Sequence, residues 1–245
     1  MDSVSRSALV TGASSGIGVA VAGALRQEGF ALTLVGRDAA KLDRVATELT
    51  AVAGPAVHTC AGSLAQESFL DDVVAAHRAA FGALDLLVNN AGIAGHRPVE
   101  EITAEFLDEQ LAVNLRAVIL LTAKTVPLLK DAVGLRGSAQ VINTSSNAGK
   151  RGEATLASYS ATKGGVVAFT EALHDELAAT GIKATAICPG VVDTPMAQGY
   201  GIPTQQMISP ADVAEVVRMT TRLSAVCIVP EVVLLRPAEW LQTPQ

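Results

Sequence analysis

The chain has 245 residues, 49% of them hydrophobic and 17% charged, with a formal net charge of −6. That length suits one α/β domain, and the hydrophobic share excludes a disordered chain. The acidic balance argues against nucleic acid or an anionic membrane as the main partner.

The lead 1–7 is short and polar, with no basic-then-apolar signal segment, so a cytoplasmic protein is expected. Residues 7–11 predict a strand and 16–28 a helix. The alternation continues with a strand at 31–35, a helix at 39–52, a strand at 56–60 and a helix at 66–81. A strand at 84–88 follows, then a long helical region at 106–132 that is broken near Asn114 or bent at Pro127. Its apolar stretch is interrupted by Asn114, Arg116 and Lys124, which argues against a membrane span. Next come a strand at 140–143, a helix at 158–179 ended by Gly181, and a strand at 183–188. A Gly/Pro-punctuated loop spans 189–209, followed by a helix at 211–221 and a last strand at 226–235. Cys60, Cys188 and Cys227 sit in or beside apolar runs and read as buried strand thiols. Without a CxxC or Cys/His cluster they suggest neither a metal site nor a disulfide framework.

The strands are continuous apolar runs, as expected where helices cover both faces of a sheet. Strand–helix alternation then predicts a doubly wound parallel sheet in a single α/β domain. Ligands of such sheets bind beyond the carboxyl ends of the strands. After the first strand stands TGASSGIG at 11–18. Its glycines allow close approach of a pyrophosphate, and the helix start offers free N–H groups; a ligand-free glycine turn is the competing reading. After the second strand comes Gly36-Arg37-Asp38. Gly36 leaves empty the place where a carboxylate would meet a ribose 2′-hydroxyl, and Arg37 suits a 2′-phosphate. The expectation is NADP(H) rather than NAD(H), against the plainer reading of a solvated loop arginine. Asp38 reads as a helix N-cap. After the fourth strand, Asn89-Asn90-Ala91-Gly92 is a small polar turn. After the fifth come Thr144, Ser145 and Ser146, and then Tyr159 and Lys163 at helical spacing on one face. A phenol titrates near ~10, and a close ammonium lowers that value, so the pair suits acid–base work. A plain surface Tyr/Lys pair has the same spacing.

Taken together, TGASSGIG, NNAG at 89–92, Asn114, Ser146, YSATK at 159–163 and PGVVDTPM at 189–196 resemble the short-chain dehydrogenase/reductase family over nearly the whole chain. The resemblance implies a Rossmann-like fold over 1–245, with nucleotide-binding motifs mainly in 7–92 and the catalytic and substrate part mainly in 93–235. It implies hydride transfer between a nicotinamide and a carbonyl or alcohol. Tyr159 would be the acid/base, Lys163 would lower its pKa and hold the ribose, Ser146 would bond the substrate oxygen, and Asn114 would hold a relay water. Gly12, Ser14, Ser15, Gly16, Ile17 and Gly18 would wrap the pyrophosphate. Asn90, Ala91 and Gly92 would line the adenosine side, and Pro189, Gly190, Val192 and Thr194 the nicotinamide.

Two positions depart from the family pattern. Ser63, followed by Leu64, stands where an Asp usually meets the adenine. The ending IVPEVVLLRPAEW lacks the glycine-rich Asp-Gly-Gly segment of most acyl-carrier-protein ketoreductases, and resembles instead a branch that reduces small ketones, aldehydes or hydroxy acids. Substrate choice is expected in loops 93–98, 147–157 and 197–208, with Tyr200, Met196 and Met207 as a lid and Lys150 and Arg151 as candidate anion contacts. The family implies a homodimer or homotetramer and a small-molecule substrate. The alternative function is a catalytically silent NADP(H) sensor; such proteins generally lose the Tyr or Lys, and both are present here.

Overall fold

The apolar runs pair into one parallel sheet. The computed structural model describes residues 5–241, so Met1–Val4 of the polar lead lie outside the described residues. The strands are β1 (Ser7–Thr11), β2 (Ala31–Gly36), β3 (Val57–Ala61), β4 (Leu86–Asn89), β5 (Ala139–Thr144), β6 (Ile182–Pro189) and β7 (Glu231–Leu234). Their order is β3-β2-β1-β4-β5-β6-β7, every pairing parallel. The central strands β1, β2, β4 and β5 are buried throughout, while β3 and β7 at the edges are partly exposed. This is the doubly wound α/β fold that the continuous runs predict, and the strand order reverses between β1 and β4, where such sheets open a crevice.

Helices cover both faces. They are α1 (Gly16–Gln27), α2 (Ala39–Thr50), α3 (Glu67–Phe81), α4 (Ala104–Leu111), α5 (Ala117–Arg136), α6 (Asn147–Lys150), α7 (Ala157–Leu177), α8 (Pro210–Thr221) and α9 (Pro237–Leu241). One core layer joins α1 and α8 to the sheet through Val21, Leu25, Leu32, Leu34, Val213 and Val217. The other joins α3, α5 and α7 through Leu70, Val73, Leu121, Leu128, Leu173 and Leu177. Burying a leucine such as Leu121 contributes about 1.5–3 kcal/mol.

Several expectations needed correction. The long helical region breaks at a π turn, Ala112–Arg116, which contains Asn114, and α5 runs on through Pro127. Pro127 is exposed, so the carbonyl it leaves without a helical partner is on the water side. The last strand is shorter than 226–235: it begins only at Glu231, and the preceding residues form a loop held by Lys183 Nζ, which donates to the carbonyls of Ser224 and Cys227. Cys227 is therefore exposed rather than a buried strand thiol; Cys188 is buried and Cys60 half-buried. The short helices α6 and α9 were not anticipated. Asp38 caps α2, its carboxylate accepting from Lys41 N at 3.0 Å. The helical run Ala104–Arg136 is long and apolar enough to cross a membrane by length and composition. Here it covers the sheet, with Leu121, Leu128, Leu129 and Ala132 buried. Arg116 and Lys124 form ion pairs with Glu67 and Asp71 of α3.

Beneath β1 lies a fully buried histidine. His77 Nδ1 shares a 2.8 Å hydrogen bond with Thr33 Oγ1, and Nε2 lies 3.2 Å from Ser7 Oγ. Burial pushes its pKa down to about 4, so it is neutral in the fold. The unfolded chain binds that proton near pH 6.5 and the folded chain does not, so the stability contribution is intact above pH 6.5 and falls as pH drops toward 4. Between pH 7 and 5 this group should cost about 2 kcal/mol of unfolding free energy. Urea titrations at both pH values should show that loss in the wild type and not in His77→Gln; equal losses would contradict it.

Candidate active site

The site assembles at the carboxyl ends of β1, β4, β5 and β6. Behind β1, Gly12 and Gly16 take φ of +67° and +51°, a region open to glycine at little cost. A Cβ on Gly16 would lie 2.7 Å from Thr194 Cγ2, and one on Gly18 would overlap the Gly12 carbonyl, so the turn folds tightly onto α1 and onto the segment after β6. Ser15 is the N-cap of α1, yet its side chain makes no capping bond and the first turn holds no acid. Such an uncapped start suits an anion. Ser14 lies beside Gly36, where a Cβ would come 3.2 Å from its hydroxyl, and Arg37 projects exposed from the end of β2.

Thr11 joins this turn to the next. Its Oγ1 accepts from Asn90 N at 2.9 Å and Ala91 N at 3.0 Å, and its carbonyl accepts from Asn90 Nδ2. Asn114, fully buried in the π turn, then grips Ile93: Oδ1 accepts from Ile93 N at 2.8 Å and Nδ2 donates to Ile93 O at 2.9 Å. Nδ2 also donates to Thr162 Oγ1. A Cβ on Gly92 would stand 3.4 Å from both Asn114 Oδ1 and Lys163 Nζ, which places those two groups on one side of the turn.

Tyr159 and Lys163 are buried on α7, 9% and 3% exposed, so they are not a surface pair. Lys163 Nζ donates to Thr144 O at 2.8 Å and lies 5.8 Å from the centre of the Tyr159 ring. Ser146 caps α6, accepting from Ala148 N at 3.1 Å, donates to Pro189 O at 3.5 Å, and lines the same cavity as Tyr159. Burial pushes the phenol up to about 12, and the Ser146 hydroxyl offsets part of that rise. Burial pushes Lys163 down to about 8. The sequence-based expectation is that Lys163 lowers the Tyr159 pKa; here desolvation sets the direction of the shift, and Lys163 is not among its causes.

These groups face a cavity of about 770 Å³. It brings together Tyr159, Lys163, Ser146, Ile17, Asn90, Gly92, Pro189, Gly190, Val192 and Thr194. Gly12, Ser14, Ser15, Gly16, Gly18, Arg37, Ser63, Leu64 and Ala91 do not line it; they lie along the ends of β1 to β4. Of these, Leu64 is buried in the core, and Ser63 is half-buried with its carbonyl accepting from Gln66 N. Met196 and Tyr200 line the cavity, Met207 does not, and Arg151 does. Lys150 instead pairs with Glu231 at 2.8 Å. His96 and Glu153 lie on the wall within the expected loops 93–98 and 147–157, while the sequence reading missed Arg236 and Glu239. His96 packs edge-on against Tyr200 and shares a 2.8 Å hydrogen bond with Thr155, which holds a φ of +64°.

Gly149 sets how α6 meets α7. A Cβ there would fall 2.6 Å from the Lys163 carbonyl carbon and 2.8 Å from Ser145 Oγ. Gly149→Ala should force the two helices apart and destabilise the protein by about 1–3 kcal/mol, measured by chemical denaturation. Wild-type stability would show that the contact yields freely.

Comparison with known proteins agrees with this geometry. A family model for short chain dehydrogenases matches residues 6–203. An uncharacterized oxidoreductase of Staphylococcus epidermidis is 36% identical over 211 residues, 86% of this chain and 88% of that protein. An alcohol dehydrogenase from the archaeon Thermococcus sibiricus, complexed with 5-hydroxy-NADP, superposes with a TM-score of 0.88 at 28% identity, covering 98% of this chain and 99% of that one. A 3-ketoacyl-(acyl-carrier-protein) reductase from Brucella melitensis, complexed with NADH, gives 0.82 at 32% identity, covering 93% and 96%. With a matched model over most of its length and the parallel sheet its relatives share, this chain belongs to the short-chain dehydrogenase family of oxidoreductases.

Proposed function

We propose that this protein is an NADP(H)-dependent oxidoreductase that moves a hydride between the nicotinamide and a small carbonyl compound or its secondary alcohol. The observation that carries the reading is the buried Tyr159–Lys163 pair opening on one cavity that Ser146 also lines. Structural relatives complexed with an NADP derivative and with NADH support a nicotinamide nucleotide. The uncapped start of α1 and the tight glycine turn fit its phosphates. Gly36 and the exposed Arg37 favour a 2′-phosphate, hence NADP(H) over NAD(H).

When bound, the nucleotide supplies or accepts the hydride. Tyr159, held protonated by burial, gives its proton to the carbonyl oxygen during reduction. Ser146 Oγ donates to the same oxygen as charge develops on it. Lys163, which burial brings to about 8, is largely an ammonium at neutral pH and stabilises the phenolate left behind. Asn114 serves the proton supply from the Lys163 side of Gly92 while its amide holds Ile93. Pro189, Gly190, Val192 and Thr194 would flank the nicotinamide, and Ser63 and Leu64 would lie toward the adenine. We assign the working form to a cytoplasmic homodimer or homotetramer, in keeping with the family resemblance.

NADPH oxidation against a panel of ketones, aldehydes, quinones and β-keto esters should reveal turnover. Tyr159→Phe should lower it at least about a hundredfold, within the usual reach of acid–base catalysis, with NADPH binding retained. Near-normal turnover in that variant would refute the role of Tyr159. NADPH binding without turnover across the panel would favour a sensor. Separately, Arg37→Ala should weaken NADPH about tenfold and leave NADH nearly unchanged in fluorescence titrations. A wild-type preference for NADH would overturn the NADP(H) assignment.

A further inference from the structure

The segment after β6 touches both halves of the site. Thr194 packs on the glycine turn at Gly16, and the Pro189 carbonyl accepts from Ser146 Oγ. Residues 189–192 also wall the cavity that holds Tyr159 and Lys163. Any drift of this segment would therefore move the nucleotide side and the serine side together.

Its backbone is tied down on both flanks. Gly190 N donates to Leu234 O at 2.7 Å, Asp193 N to Ile208 O at 2.9 Å, and Ile208 N to Val191 O at 3.0 Å. The Val191 N–H takes a side chain instead, donating to Glu239 Oε1 at 3.1 Å. Glu239 is itself held in α9. Arg236 N donates to Oε2 at 2.8 Å, and Arg236 Nε to Oε1 at 3.0 Å. Both side chains of that ion pair are only 15% exposed, where charge-assisted bonds are strong and poorly screened. A Cβ on Gly190 would overlap Glu239 Oε2, so the carboxylate lies directly against the backbone of residue 190.

We propose that Glu239 is a positioning residue of the reaction: oriented by Arg236, its carboxylate fixes the backbone of 189–192 and so sets the wall that faces the nicotinamide and Ser146. The proposal rests on the nucleotide-dependent reading above. Glu239 acts through Val191 and Gly190 and needs no contact with the reacting atoms.

The test compares Glu239→Ala, Glu239→Gln and Trp240→Ala, the last a neighbour on α9 that is 59% exposed and absent from the cavity wall. For each, NADPH affinity, the single-turnover rate of NADPH oxidation, the KM of the best panel substrate and the melting temperature are measured. Small misplacements of reacting groups are costly, so Glu239→Ala should slow the single-turnover step about tenfold and weaken NADPH about fivefold, with the melting temperature close to that of Trp240→Ala. Glu239→Gln keeps one acceptor for Val191 and should recover much of both losses. If the Ala variant does not fold, the Gln variant must still fall between wild type and a tenfold loss. The proposal is overturned if the Glu239 variants match Trp240→Ala, or if they change only the substrate KM, which would make Glu239 a substrate contact. A loss of melting temperature with unchanged kinetics in the folded fraction also overturns it. A wild type that binds no nicotinamide nucleotide sinks the functional reading and this proposal together, whereas an active wild type with unaltered Glu239 variants sinks the proposal alone.

Discussion

The constraint on which the site depends is the burial of the Lys163 ammonium. An amine lowered from its ordinary value to about 8 carries a penalty of about 3 kcal/mol, and the surrounding chain is arranged to hold it charged nonetheless. The Thr144 carbonyl, at the end of β5, accepts from Nζ, while the Ser145 hydroxyl donates to the Lys163 backbone carbonyl at 2.7 Å. One strand end therefore grips both ends of the same residue. Gly149 lets α6 close over that grip, because any side chain there would strike the Lys163 backbone. Ser146 follows directly from Ser145, so the position of the hydroxyl that shares the cavity with Tyr159 follows from the position of the lysine.

The same logic extends sideways through buried polar links. Asn89 Nδ2 donates to Asn143 Oδ1 and to Thr122 Oγ1, and Asn143 Nδ2 donates to Thr170 Oγ1, all within a fully covered layer. These bonds tie β4 to β5 and both strands to α5 and α7. An unpaired amide in that layer would cost about 1–3 kcal/mol, so the links also select the strand register. The Asn89–Gly92 turn rises from that fixed point and meets the glycine turn through Thr11. Two segments read from the sequence as separate motifs are thus one rigid body around the crevice.

Much of this was legible in the sequence, for identifiable reasons. Continuous apolar runs mark strands covered on both faces, and the spacing of Tyr159 and Lys163 fixes their shared helix face whatever the tertiary fold. Spacing does not report burial, so it could not separate a buried pair from a surface one; the covering helix α6 and the segment after β6 do that. The break in the long helical region had two candidates. It falls at Asn114, where the amide finds Ile93, and not at Pro127, whose missing donor costs little on an exposed face. The run before β7 misled because apolar composition extends beyond the paired residues; Ala186 N takes the Pro230 carbonyl, and regular pairing begins only with Glu231. Glu239 was missed because the backbone it holds, at Val191, lies far away in sequence, and the contacts of His96 with Thr155 and Tyr200 were not foreseen for the same reason. No local pattern encodes such contacts.

That division has a chemical counterpart. The sheet ends and α7 carry the groups that the proposed carbonyl reduction would use: a buried phenol, a buried amine beside it and a serine hydroxyl on the same cavity. The wall that a substrate would meet beyond them is built from segments outside the sheet. His96, Thr155 and Tyr200 close one side through an edge-on ring contact and one hydrogen bond, with Gly199 and Gly201 at φ of +94° and +68° on either side of Tyr200. Glycines there let the chain carry an aromatic side chain into the cavity without strain. Glu239 of α9 and Arg236, just before that helix, close another side. His96, Thr155 and Tyr200 can therefore change without disturbing Lys163, whereas Glu239 is tied through Val191 and Gly190 to the segment that meets Ser146. Substrate selectivity should therefore vary on the His96–Tyr200 side of the wall, which stands apart from the groups at the sheet ends.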